Sequence, residues 1–337
     1  MDRVINAFLG IVIGVGAMLL YYFGTNWVID RVLADKIGPD GAIVGKRGEL
    51  RERIRPWLFI APAVFLLVLF LVYPAVQTVY LGFFNARGTE FVGLANYEWA
   101  FNDPGFQLAI RNNLLWLIVV PLFSTALGLI IAVLADRVRW GQFAKSLVFM
   151  PMAISFVGAS VIWKFMYDFR GPDQPQIGVL NALVVSLGGE PQAWLTLPLV
   201  NNLFLMVILI WIQTGFAMVL LSAALRGVPD ETLEAARIDG ANEVQIFFQV
   251  MIPQIMGTIV VVWTTITIVV LKIFDIVLAM TNGQWQTEVL ANIMYDWMFR
   301  GGGDYGRSGV IATIIMIAVI PIMVWNIRRF RQEEMER

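Results

Sequence analysis

Neither cysteine nor histidine occurs among the 337 residues. Those absences remove thiolate and imidazole metal ligands, a cysteine or histidine nucleophile, and a histidine pH switch. They leave the redox compartment undetermined. Charge is also scarce: Asp, Glu, Lys and Arg make up 15% of the chain against 58% hydrophobic residues, and the mean hydropathy is +0.73. Soluble domains carry about 25% charged residues, so this balance describes an integral membrane protein. A net charge of −1 offers no concentrated basic face, which argues against a nucleic-acid partner. No G-x-x-x-x-G-K-[ST] loop is present, and the nearest run, 41–46, has the wrong spacing to cradle phosphates. Without Cys, His or a dense carboxylate cluster, a membrane enzyme has little to work with. Low-complexity segments and internal repeats are lacking as well.

What the chain does have is apolar runs long enough to cross a bilayer, which takes about 20 residues each. Seven are expected: 4–29, 57–85, 112–135, 146–163, 199–225, 254–280 and 308–327. The first exceeds a signal-peptide core and lacks a small-x-small cleavage site, so it reads as an uncleaved helix. Pro62 and Pro74 mark bends in the second, tolerable where neighbouring helices compensate. Residues 86–111 and 167–198 read as loops, the latter with a short interfacial helix at 179–187.

Basic residues set the orientation. One set of alternate loops collects sixteen Lys and Arg: seven from Arg31, Lys36, Lys46, Arg47, Arg51, Arg53 and Arg55, three in the 137–145 turn, two at Arg226 and Arg237, four in the tail. The other set collects six: Arg3, Arg87, Arg111, Arg170, Arg300 and Arg307. The richer side is expected to be cytoplasmic, leaving the N-terminus outside and the C-terminus inside. Trp27, Trp57, Trp140, Trp163 and Trp325 stand near span ends as interfacial aromatics do.

Between the fifth and sixth runs lies a charged interlude, 228–253, on the cytoplasmic side. Pro229, Asp230 and Glu231 are first-turn residues of a helix, and Gly240 ends it, being suited to a left-handed conformation. A second helix over 241–251 should present Val244, Phe247, Phe248 and Met251 on one face, with Pro253 turning the chain into the next span.

Glu234-Ala235-Ala236, then Asp239-Gly240-Ala241 and finally Ile252-Pro253, resemble the EAA loop of ABC-type importer permeases. Asn96-Tyr97, Pro151 with Ser155 and Trp163, 178–181, and Thr281-Asn282-Gly283 are similar to the maltose-type branch, most nearly the bacterial alpha-glucoside permeases. The resemblance covers about 57–330. It implies an all-α membrane protein of type I importer fold: a six-helix core with coupling loop over 57–337, preceded by an extra helix and basic linker over 1–56. It implies alternating access with sugar import across the bacterial inner membrane. No cofactor would bind this chain, since ATP-Mg belongs to two partner ATPase subunits. A second, distinct permease would complete a heterodimer in the lipid bilayer, and an extracytoplasmic binding protein would deliver the sugar. Glu234 would pair with the ATPase, Ala235 and Ala236 would permit close approach, and Gly240 would make the bend. An ordinary amphipathic interfacial helix is the competing reading, and sparse Lys and Arg disfavour it.

Lys272 and Asp275 interrupt the sixth run. At i,i+3 they would share a helical face and could pair, either lining a pathway or snorkelling, since Lys272 stands 19 residues past Pro253, about 28 Å along a helix. Gln213, Thr214, Asn201 and Asn202 on the fifth run and Thr264, Thr265 and Thr267 on the sixth either line a cavity or bond between helices. Trp116, Trp211 and Trp263 could stack on sugar rings or simply pack. Gly128 and Gly215 suggest close helix packing, Asn112-Asn113 begin the third span, and Gly301-Gly302-Gly303 form an outer loop suited to meeting a binding protein. The rival function is an ion-gradient-driven secondary transporter using Lys272 and Asp275. Such transporters show repeats and discontinuous helices around a midplane charge, and neither is evident in the sequence.

Overall fold

The computed structural model describes residues 2–34, 47–171 and 173–335. Lys36, Lys46, the 41–46 run and Arg337 lie outside the described residues. Two compact units result, Met1–Gln77 and Thr78–Arg337.

In the first unit, α1 (Asp2–Val32) and α2 (Arg47–Leu67) form a hairpin, and a π-helical turn at Val68–Val72 leads into α3 (Tyr73–Leu81). Pro62 has no N–H to give the carbonyl of Leu58 four residues back. The hydroxyl of Tyr21 donates to that carbonyl at 2.9 Å, and Tyr22 donates to Phe59 O at 3.0 Å. The Tyr21 bond thereby closes the gap that Pro62 opens. At the other end of the hairpin Asp30 pairs with Arg55 at 2.7 Å and Arg51 at 3.6 Å.

In the second unit, α4 (Ala95–Asn102) and α5 (Pro104–Asp136) occupy much of the stretch expected to be loop. Asp103 caps α5 by accepting from Phe106 N at 2.8 Å, with Pro104 in the first turn. The third span therefore begins eight residues before Asn112. Next come α6 (Gly141–Phe149) and α7 (Phe156–Met166), which meet at 108°. The fourth apolar run is thus broken, at Pro151 and the Ser155 cap, where Ser155 Oγ accepts from Gly158 N. The short helix expected at 179–187 is α8 (Val179–Ser186). Asn181 anchors it, donating to Asp168 O and Gln192 O and accepting from Gln192 N and Trp194 Nε1.

The longest buried contact runs between α5 and α9 (Val200–Leu225). Hydrocarbon supplies no hydrophobic drive for helix association, so close packing must. A Cβ on Gly128 would stand 2.5 Å from Ala217 Cβ, and one on Gly215 would stand 2.6 Å from Val148 O. Both glycines are contact points between helices, as the sequence suggested. The chain then passes through α10 (Asp230–Ile238), α11 (Glu243–Gln245), a π-helical turn at Ile246–Met251 and α12 (Ile252–Gln254). A 71° bend at Ile255, two residues past Pro253, leads into α13 (Met256–Leu271) and then α14 (Asp275–Met280). Finally α15 (Leu290–Tyr295) and α16 (Tyr305–Met335) pack with α4 around Phe106, Ile293 and Val310. Five apolar runs lie in single helices long enough to span, the fourth lies in a bent pair, and the sixth comprises α13, which is bent from the helix before it, and α14. No strand occurs among the described residues.

Candidate functional site

The 228–253 element is a rigid elbow built from backbone chemistry. In α10 the acids Asp230 and Glu231 occupy the first turn and Arg237 the last, each at the end its charge favours. The helix closes in a complete Schellman motif: Gly240 N donates to Arg237 O at 3.1 Å and Ala241 N to Ala236 O at 3.0 Å. That closure requires the left-handed conformation found at Gly240, φ +86°. Two residues on, Asn242 opens the next helix with a capping box, Asn242 Oδ1 accepting from Gln245 N while Gln245 Oε1 accepts from Asn242 N, both at 2.9 Å. Consecutive stop and start signals leave little freedom between the two helices.

One face of the elbow meets the core and the other is open. Leu233, Phe247, Met251 and Ile252 pack against the buried cluster. Glu234 and Ala235 are exposed, Ala236 half-buried, Asp239 and Gly240 exposed, and Ile238 stands 85% exposed. The expected face of the second helix is corrected by the π-turn, which adds a residue to the register. Ile246 becomes the buried residue, while Val244 and Phe248 turn outward. Pro253 is exposed in α12.

Ion pairs attach this element to the 137–145 turn. Glu243 accepts from Arg137 at 3.0 Å and from Arg237 at 3.3 Å. Asp136 accepts from Lys145 at 2.7 Å and from Arg226 at 3.1 Å, and Ser222 joins them with its hydroxyl close to Lys145 Nζ. In the sequence Arg137, Lys145, Arg226 and Arg237 read only as topology signals, and Asp136, Ser222 and Glu243 carry no motif that marks them. Asp230, Glu231, Glu234 and Asp239 form no salt bridge among the described residues, so α10 presents carboxylates that this chain leaves unpaired.

Lys272 and Asp275 do not share a helical face. Helix α13 ends at Leu271 with Lys272 as its cap, Phe274 is non-helical at φ −145°, and Asp275 begins α14. The sixth span is discontinuous where the sequence suggested continuity. A cation sits at one helix C-terminus and a carboxylate at the next N-terminus, so the backbone dipoles stabilise both charges. No ion pair joins the two among the described residues. Lys272 is exposed beside a cavity of about 350 Å³ lined by Phe274, Met294, Tyr295 and Met316.

The remaining polar candidates divide. Thr214 donates to Ile210 O, Thr264 to Val260 O, Thr265 to Val261 O and Thr267 to Trp263 O, each within its own helix. Trp211 packs edge-on against Trp163 at 5.8 Å. Trp116 is fully buried, and Trp263 is half-buried. Gln213 is 8% exposed. Asn201 and Asn202 are structural: they donate to Trp285 O at 2.7 Å and Gln286 O at 3.2 Å. Asn112 donates to Gln286 O and Glu288 O, while Asn113 Oδ1 accepts from Leu290 N. The signal was available as two Asn-Asn pairs, one on each of the third and fifth runs. They grip a loop, 281–289, in which Asn282, Gly283, Trp285 and Gln286 all have positive φ. Burial pushes the Glu288 carboxyl there above its ordinary 4.5, and nearby Asp296 adds to this against opposing bonds from Asn292 and Val289 N and the charge of Arg300.

Apolar helices of membrane-crossing length, with an acidic elbow between the fifth and sixth apolar runs, describe a multi-pass membrane protein. The family model described as "Binding-protein-dependent transport system inner membrane component" matches residues 124–330. The chain belongs to that family. It is 63% identical over 333 residues to the alpha-glucoside transport system permease protein AglF of Rhizobium meliloti (strain 1021), covering 99% of each chain. To the osmoprotective compounds uptake permease protein GgtC of Synechocystis sp. it is 52% identical, over 82% of this chain and 99% of that one. A bacterial alginate ABC transporter crystallised with its periplasmic protein shares the fold, with a TM-score of 0.71 at 19% identity, over 84% of this chain and 96% of that one. The protein is thus a transport subunit of an ABC-type importer in the inner membrane, and not itself an enzyme. Membership implies a second permease, ATPase subunits and a substrate-binding protein as partners. The discontinuous sixth span therefore does not make this a secondary transporter.

Proposed function

We propose that this permease imports alpha-glucosides by alternating access, driven by two ATPase subunits that dock on the elbow at 228–253. The identity of 63% over 99% of both chains to an alpha-glucoside permease carries the substrate assignment. In this reading residues 57–337 are the permease core and 1–56 an accessory helix with its linker. The sixteen-to-six distribution of basic residues supports a cytoplasmic elbow, with the N-terminus outside and the C-terminus inside. The tie between Arg137 and Glu243 supports placing the 137–145 turn and the elbow on one side.

Glu234 offers an unpaired carboxylate to a basic ATPase cleft, Ala235 and Ala236 keep the contact close, and Gly240 with Asp239 and Ala241 fixes the bend. Pro253 leads this motion into the sixth span. Two ATPases pair with this chain and a distinct second permease, and an extracytoplasmic protein delivers the sugar. Lys272, Asp275, Gln213, Thr214, Trp211 and Thr267 mark the substrate path. Gln213 supports this best, because no hydrogen bond of its amide within this chain appears among the described residues. Uptake by the reconstituted complex should follow labelled maltose or sucrose with ATP inside the vesicles. Uptake of glycine betaine in preference to either sugar would reject the substrate assignment in favour of an osmoprotectant.

A further inference from the structure

The elbow leaves the core at Arg226 and returns to it through the helix that Glu243 begins. Each of these residues is held by one of two neighbours in the chain. Asp136, the last residue of α5, accepts from Arg226 at 3.1 Å, and Arg137, the next residue, donates to Glu243 at 3.0 Å. The hands have opposite sign, so neither can exchange partners with the other. Lys145 of α6 reinforces the first grip at 2.7 Å and is only 14% exposed. Arg237 reinforces the second from within α10, tying the docking helix itself to Glu243.

We propose that Asp136 and Arg137 form a two-handed clamp that sets the angle of the elbow on the transmembrane core, making Arg137, Glu243, Asp136 and Arg226 positioning residues for energy coupling. This rests on the proposed docking of ATPases at the elbow. Three physical points support it. Within the elbow, the Schellman motif and capping box already fix one helix relative to the other, so only its attachment to the core is left to specify. Apolar attachment comes from one side alone, through Leu233, Phe247 and Met251, which resists separation better than rotation. The outer pair of the clamp is more than half exposed on both partners, and exposed pairs are weak and readily re-formed. Such a contact can hold an angle in each state without locking the permease in one.

The test is a double-mutant cycle on the complete complex, with partner permease, ATPases and binding protein, in proteoliposomes supplied with labelled maltose. The measured quantity is sugar imported per ATP hydrolysed, a ratio independent of how much complex folds. Arg137→Gln should lower it about two- to fivefold, as loss of one exposed pair allows, and Glu243→Gln, which also releases Arg237, at least as much. The double variant should fall no further than Glu243→Gln alone, and Arg137→Lys should recover most of the Arg137→Gln loss. Unchanged ratios in the single variants, or multiplied losses in the double, would overturn the clamp and leave docking standing. Absence of ATP-dependent uptake by the unaltered complex would overturn both.

Discussion

Asn112 donates both hydrogens of its side-chain amide to carbonyls 174 and 176 positions away, those of Gln286 and Glu288, each at 2.8 Å. Together with Asn201 and Asn202 it holds the left-handed residues Trp285 and Gln286 in a conformation that costs about 1–3 kcal/mol each and persists only where surroundings impose it.

Asn112→Ala should therefore destabilise the protein by about 1–3 kcal/mol, because the half-buried Glu288 carbonyl loses this donor while Gln286 O keeps only Asn202. Asn112→Asp should cost more, since it turns lone pairs toward those carbonyls. Thermal unfolding in detergent measures both, with proteolysis at 282–286 as a local readout. Equal stability for wild type and Asn112→Asp would remove the asparagine grip as the reason the loop is ordered.

Much of this architecture was legible in the sequence, and the misses have physical causes. Run length and hydropathy revealed the apolar segments, five of them single helices of spanning length, because bilayer thickness imposes them. Gly240 was legible because few other residues accept a left-handed closure. The break at 272–274 was not, since Lys272, Ile273 and Phe274 include no glycine or proline. Its charges looked like an i,i+3 pair and are instead stabilised by two helix ends. The π-turn at 246–251 inserts a residue that no periodicity reveals, which moved Ile246 inward and Val244 outward. Glu243 and Arg137 met only through tertiary structure.

Substitution at Gly240 separates conformational from steric cost, because a Cβ there would meet nothing within 4 Å. Gly240→Val should cost about 1–2 kcal/mol through φ alone, and Gly240→Asn less, as asparagine tolerates the left-handed region. ATP-driven uptake should rank glycine, then asparagine, then valine. Equal activity for all three would mean that the elbow does not depend on this closure.

Glu288 gives a pH dependence with a definite sign. Its folded-state pKa is raised from 4.5, chiefly by burial, so the folded protein holds this proton more tightly than the unfolded chain. The stability it contributes is fully present below the unfolded value and is lost as pH rises through the folded one. Glu288→Gln, which mimics the protonated acid, should match wild type in acid and exceed it once pH has risen past that window. Melting curves of the two proteins across that range give the comparison; a difference independent of pH would show that Glu288 does not titrate as proposed.

In the proposed coupling, force from ATP enters this chain at Glu234. Glu234→Gln in the complete complex should insert into the membrane normally and lose ATP-driven sugar uptake about ten- to hundredfold, the size of one charge-assisted bond lost at a closed interface. Uptake at the wild-type rate by Glu234→Gln, or uptake by this chain alone in proteoliposomes without ATP, would contradict it.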